Sequence, residues 1–376
     1  MRTSLTSPTG LLTAAVLCSI TLVSASFARA QEGLKTSGDT EKQPVENSLN
    51  RQRRLIREKQ TADMLGAWQL IRYETAGAVV SPGEISGFAL VAEGFFSLVI
   101  HATGYEEDTG LEFDMAQAGI FRFEVGDFSD LRSLTVIGHA TPPGIDPAEA
   151  EFALIEEQVG GMREYRLVVQ KDQILMQHFS GTKLTFLRMP PTGLSAPEIA
   201  RLSQELSDES KNDSEGSEVE TKVSLEEQLN GGWFLTGYLA GGIPVPDNSI
   251  KGAAIINDGY MSLVIHAVDY LVDDKGLPLE AVLLAQAGIY HYRIKDSKLL
   301  QTSTVIGHAN PNIDVDYEHA GGLRQYDVSI EDNALILRGL DGTALRFVHL
   351  SPRKFTEYEQ ATFNRYGRGL DLVEDD

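Results

Sequence analysis

The hexapeptide TVIGHA stands at residues 135–140 and again, unchanged, at residues 304–309. Around each copy the same landmarks recur in the same order. SLVIHA occupies 97–102 and 262–267, and AQAGI occupies 116–120 and 285–289. A Gly-Thr pair at 181–182 leads into KLTFLRM, and a second at 342–343 leads into ALRFVHL. Solenoid units repeat every ~20–45 residues, far less than this spacing. The chain therefore holds one whole domain twice.

Within each copy the pattern is that of β-structure. Apolar residues alternate, β-branched residues are frequent, and turn residues interrupt at short intervals. Copy one predicts strands at 67–73, 86–91, 95–102, 117–125, 133–140, 163–170, 174–178 and 182–189, and copy two repeats them. Asp258-Gly259 and Asp341-Gly342 are tight-hairpin signals. Local connections make an antiparallel meander the simplest topology. An even number of strands lets the last pair with the first, which removes the exposed edges of the sheet. The expected fold is all-β: two tandem eight-stranded antiparallel up-and-down barrels, each followed by a short helix.

The rest of the chain divides accordingly. Arg2, an apolar run at 11–23 and Ala28-Arg29-Ala30 make residues 1–30 a secretory signal peptide. The apolar run is too short to span a bilayer. The single cysteine, Cys18, lies inside it, so the mature chain has no thiol for disulfides or zinc–sulfur sites. Residues 31–62 form a polar leader, disordered at first and helical from about 51. Barrel 1 is placed at 63–189. Residues 190–223 combine a helix, opened by Ser195 and Glu198 as a capping box, with a Ser/Asp/Glu-rich flexible linker. Barrel 2 is placed at 224–350, introduced by a short helix with Ser224 and Glu227 as its capping box, and 351–376 form a last helix, starting at 351–352, and tail. Loss of Arg2 and Arg29 with the signal would take the net charge from −22 to −24. Such a charge speaks against nucleic acid and anionic membrane as partners. The expected location is periplasmic or extracellular.

Gly66-Ala67-Trp68 and Gly231-Gly232-Trp233 open the first strand of the two copies. Together with EGFFSLVIHA and AGIFRFEV, they resemble the bacterial lipocalin-like domain family. The resemblance covers both repeats and implies a calycin-type barrel whose base is closed by the tryptophan. It also implies that Arg188, at the end of the last strand, stacks on Trp68. Copy two departs from the pattern, with His349 in the place of the arginine.

Strand direction gathers polar residues at one end of each barrel. The first mouth is expected to collect His101, Gln117, His139, Arg163 and Tyr165, and the second His266, Gln286, His308, Arg324 and Tyr326. Tyr165, Leu167 and Val169 point inward with Arg163, and Gln117, Gly119, Phe121 and Phe123 share an inward face. The facing of the third strand stays open: if Phe96, Leu98 and Ile100 line the lumen, His101 points outside. A guanidinium in such a mouth suits a ligand carboxylate. Two histidines and a glutamine are a poor metal set. No nucleophile elbow, zincin, phosphate-loop or dinucleotide motif is present, and no Asp or Glu stands out at the rim in both copies. The expectation is an exported binding protein, not an enzyme. It would need no cofactor or metal and would hold a small apolar or amphiphilic ligand in each barrel. The rival is an interaction module with barrels filled by their own side chains and an unknown protein partner. An enzyme using the rim histidines comes third.

Overall fold

The structure, a computed structural model, describes residues 48–366 apart from 76–77, 81–82, 107–110, 128, 142–153, 192–193, 208–223, 247–248, 273–277, 297 and 310–314. Residues 1–30, where the signal peptide is expected, residues 31–47 of the leader, the acidic stretch 208–223 and residues 367–376 lie outside the described residues.

Copy one begins with α1 (Ser48–Met64) and continues through β1 (Gly66–Thr75), β2 (Ala78–Val80), β3 (Ile85–Ala92), β4 (Phe95–Glu106) and β5 (Leu111–Val125). It then forms β6 (Asp130–Ala140), β7 (Ile155–Glu156), β8 (Met162–Gln170), β9 (Gln173–His178) and β10 (Lys183–Arg188), and ends with α2 (Ala196–Ser207). Copy two repeats the plan. It comprises α3 (Leu225–Leu229), β11 (Gly231–Ala240), β12 (Ile243–Val245), β13 (Ile250–Asn257), β14 (Tyr260–Val272) and β15 (Pro278–Lys295). There follow β16 (Leu299–Ala309), β17 (Asp316–Tyr317), β18 (Leu323–Glu331), β19 (Ala334–Gly339), β20 (Ala344–Leu350) and α4 (Glu357–Tyr366).

Eight strands of each copy form an antiparallel meander, and the pairings β1–β10 and β11–β20 close it into a barrel. The short β2, β7, β12 and β17 are additions at the rim. Three local expectations need correction. The connection expected at 103–116 is largely strand, because β4 and β5 run on as a long hairpin paired out to Glu106 and Leu111. Asp341-Gly342 lies in a wider turn closed by Gly339 N–H to Thr343 O, whereas Asp258-Gly259 makes a tight turn with both residues in the left-handed region. The last helix begins at Glu357, with Thr356 and Glu359 exchanging the two hydrogen bonds of a capping box.

Each lumen is packed with its own side chains. Trp68, Phe96, Phe121, Phe123, Leu131 and Phe186 fill the first, and Trp233, Tyr290, Tyr292, Leu335 and Phe347 the second. The base is closed by the helix that precedes the barrel. Trp68 donates its indole N–H to Met64 O at 2.7 Å, and Trp233 does the same to Leu229 O at 2.7 Å. The Arg188 guanidinium lies 4.1 Å over the Trp68 ring and donates to Leu65 O and Asp63 O. It thereby satisfies carbonyls that the end of α1 leaves without an intrahelical partner. In copy two His349 meets Trp233 edge-on, with ring centroids 5.2 Å apart.

The two barrels pack back to back. Ala67, Leu90, Phe95, Val99, Ala118, Ile120 and Ile137 on the outside of barrel 1 form one buried cluster with Ala253, Ile255, Tyr260, Val264, Ala287, Ile289 and Ile306 of barrel 2. Equivalent residues meet across this contact: Ser97 Oγ lies 2.6 Å from Ser262 Oγ. The arrangement is isologous, as in a twofold dimer. The helix after each barrel crosses to the other. Glu198 of α2 accepts from Ser303 of barrel 2. Phe355 and Phe363, at α4, pack on Leu134 of barrel 1, where Glu359 pairs with Arg122.

Candidate functional site

The alternation of β4 decides where the histidines go. Phe96, Leu98 and Ile100 belong to the lumen cluster, so Ser97, Val99 and His101 point outward. In β6, Ile137 lies in the inter-barrel cluster and His139 shares its side. The same holds for His266 and His308. None of the four is at a mouth with the other predicted residues. They meet one another between the barrels, and His139, His266 and His308 are fully buried.

The rings form a line. His101 Nε2 lies 2.7 Å from His308 Nδ1, His308 Nε2 lies 2.7 Å from His139 Nε2, and His139 Nδ1 lies 2.7 Å from His266 Nε2. At the end of the line His266 Nδ1 faces Glu156 Oε1 at 3.6 Å. Neutral imidazoles, each with one N–H and one acceptor nitrogen, fit such a chain with every bond made. Burial favours that neutral state. It lowers His101 to about 4, and burial with the neighbouring His101 ring lowers His308 to about 3. Burial and the three surrounding rings hold His139 well below the ordinary histidine range. The His266 ring beside Glu156 holds its carboxyl below the usual carboxylate range.

The line does not converge on a point. Two nitrogens on a tetrahedral metal at ~2.0–2.1 Å would stand about 3.3 Å apart, and His139 and His308 each spend both nitrogens on different neighbours. Among the described residues no group of three or more His, Cys, Asp or Glu is arranged to hold a metal ion.

The remaining predicted residues do meet inside each barrel, around a carboxylate that sequence reasoning missed. Arg163 Nη2 lies 2.6 Å from Glu157 Oε1, and Gln117 Nε2 donates to the same oxygen at 3.3 Å. The Arg163 guanidinium sits 4.8 Å over the Phe121 ring, while Tyr165 packs against the lumen core. In copy two Arg324 lies 2.7 Å from Glu318, Gln286 donates to Glu318 at 3.2 Å, and Arg324 covers the Tyr290 ring at 5.3 Å. Tyr326 packs against the second lumen core.

Arg163 lies lower than a rim position, because it pairs with Ser133 in the middle of β6 while β7 occupies the upper end. Between β7 and β8 the chain bulges at Gly160-Gly161 and turns Glu157 into the barrel over Gly138. A Cβ on that glycine would stand 2.8 Å from Glu157 Oε2. The missed signal is a further internal repeat, E-x-x-G-G-x-R-x-Y, at 157–165 and 318–326.

The two sets differ in two hydroxyl contacts to the carboxylate. Tyr290 O–H donates to Glu318 Oε1 at 3.5 Å and Thr304 O–H donates to Glu318 Oε2 at 3.2 Å. Burial, reinforced by Glu318, raises Tyr290 and keeps its phenol protonated. Phe121 has no hydroxyl, and buried Glu157 Oε2 has no hydrogen-bond partner within the protein.

Each mouth also exposes apolar side chains at its rim. These are Val79 and Phe179 in barrel 1, 52 % and 65 % exposed, and Ile243 and Leu340 in barrel 2, 72 % and 69 % exposed. Below, at the base of barrel 1, a void of about 10 Å³ remains, lined by Met64, Trp68, Phe96, Leu131 and Phe186 among others. No helix among the described residues is long and apolar enough to cross a membrane. Compared with protein-family models and with curated protein sequences, the chain matches none of them.

Proposed function

We propose that the protein is an exported, non-enzymatic binding protein that holds a small amphiphilic ligand at the open end of each barrel. The observation that carries this reading is the pairing, in both copies, of an Arg–Glu–Gln set inside the mouth with apolar residues exposed at its rim. Polar groups there orient a head group, and the rim covers an apolar part. The ligand sits shallowly, because aromatic side chains occupy the lumen beneath it. The lipocalin-like resemblance supports a carrier, and the signal-peptide pattern at residues 1–30 supports export.

Uptake of anilinonaphthalene sulfonate, an apolar ring system with an anionic head, tests the proposal. Saturable binding should weaken by at least about tenfold at the first site in Phe179→Ser and at the second in Leu340→Ser. Both positions are exposed, so stability should change by no more than about 0.5 kcal/mol. Absence of saturable binding would sink the reading.

A second reading then stands, in which the barrels are filled scaffolds and the protein acts by binding another protein. The aromatic side chains packed in both lumens favour it, and the void described at the base of barrel 1 measures only about 10 Å³. Ligand pockets run to about 300–1,000 Å³, and a cavity of ~10–15 Å³ holds a single water.

A further inference from the structure

The four histidines lie outside both mouths, and the binding reading leaves them without a part. They sit in the contact between the two barrels, three of them fully buried and His101 partly so, and the apolar cluster around them would be a drier and simpler seam without them. We infer that the histidine line is an acid-sensitive latch: it holds the barrels together while the rings are neutral and lets them part when protons accumulate in it.

Counting hydrogens gives the physical reason. The three contacts occupy six of the eight ring nitrogens, leaving His101 Nδ1 and His266 Nδ1 at the ends. Four neutral rings carry four hydrogens, one for each contact and one for an end. A fifth hydrogen fills the other end, and its charge is opposed by the Glu156 carboxylate 3.6 Å from His266. A sixth must enter a contact, where two N–H groups then face each other and the bond is lost. The buried seam would also hold two cations against one carboxylate. Separation relieves both costs by giving the rings to water.

Among the described residues, the groups facing the line offer little other compensation. His101 is flanked in register by Ser86 of β3 and Ala116 of β5, and His139 by Ala118 of β5 and Glu156 of β7. His266 is flanked by Lys251 of β13 and Ala285 of β15, and His308 by Ala287 of β15 and Tyr317 of β17. Lys251 is paired with Glu156 at 3.4 Å, so this carboxylate is already shared. The Tyr317 ring meets His101 edge-on at 4.7 Å.

The direction of the pH effect follows from the neutral preference. His101, His139 and His308 are all lowered in the joined state, and a separated ring returns toward about 6.5. The contribution of the line is therefore fully present above about pH 6.5. It is lost as pH falls toward the joined-state values, about 4 for His101 and about 3 for His308. Its onset precedes the titration of ordinary carboxylates, at about 4.

The test uses the full chain with a specific protease site placed within 208–223, cut after folding. The halves should sediment as one complex at pH 7.5. Their Kd should rise at least about tenfold by pH 5 with far-ultraviolet circular dichroism unchanged, a response set by linkage to two or more rings. Replacing all four histidines by Gln, which donates and accepts without titrating, should flatten the response. Calorimetry in buffers of different ionisation heat gives a readout independent of variants: separation at pH 5 should take up more than one proton. An unchanged Kd, uptake of less than one proton, a Gln variant with the wild-type response, or halves that unfold where they part would each overturn the latch.

Discussion

Arg163 and Glu157 form an ion pair at 2.6 Å inside the first barrel, with side chains only 18 % and 9 % exposed. The strand pattern alone makes Arg163 a rim residue whose removal leaves folding nearly untouched. The partner changes that. Arg163→Met would leave a carboxylate buried without its cation, and loss of one partner of a buried pair costs about 3–5 kcal/mol. Urea denaturation should show barrel 1 destabilised by about 3 kcal/mol. The double variant Arg163→Met/Glu157→Met should recover most of the loss. Equal instability of single and double variants would mean that the pair is not coupled.

The two mouths differ by one hydroxyl, and that difference can be moved. Phe121 lies over Gly119 as Tyr290 lies over Gly288. Phe121→Tyr would therefore aim a phenol at Glu157, as Tyr290 already does at Glu318. A new hydrogen bond to a charged group contributes about 1.5–3 kcal/mol, and a long one less. Thermal unfolding of barrel 1 should shift upward, by about 1 kcal/mol at the midpoint. Tyr290→Phe should lower barrel 2 by a similar amount. A downward shift in Phe121→Tyr would show that the space beside the ring is already filled.

Much of this fold is legible in the sequence. Two TVIGHA segments, two G-x-W openings and eight alternating runs suffice for two closed barrels. The facing of β4 is not legible, for a physical reason. Alternation identifies the lumen side only when the other side meets water, and here Val99 and Ser97 are buried against the second barrel. Strand direction places the histidines at the mouths because it fixes height but not side. The acid at 157 was hidden because it sits in a bulge between two strand segments, outside any periodic pattern, although its place in E-x-x-G-G-x-R-x-Y recurs in both copies.

Trp68 tests the closure of the base. Its ring is fully buried, covered by Arg188, and its N–H is spent on the end of α1. Trp68→Ala should cost about 3–5 kcal/mol through the cavity it leaves, and it should loosen α1 as well. Trp233 is then the sole fluorophore of its kind, because the chain has two tryptophans. Its emission should keep reporting a folded barrel 2 at a urea concentration where hydrogen exchange shows barrel 1 and α1 open. Simultaneous loss of both would mean that the seam makes the two barrels one cooperative unit.

Val99 separates folding of a barrel from docking between barrels. It is fully buried, yet it belongs to the outer cluster and not to either lumen. In Val99→Asp the carboxylate faces apolar residues of barrel 2 when the seam is closed and faces water when it is open. Removing an unpaired charge from water costs several kcal/mol, so the substitution should act on docking and spare the lumen. Small-angle scattering at pH 7.5 should show a larger radius of gyration than for the wild type, while far-ultraviolet circular dichroism and the burial of Trp68 persist. The exchanged helices α2 and α4 would resist the opening, and Phe363→Ala, which removes a buried anchor of α4 on barrel 1, should increase it further. If Val99→Asp instead abolishes the strand signal of barrel 1, each barrel depends on the seam to fold. The back-to-back pair would then be the folding unit and not two barrels joined after folding.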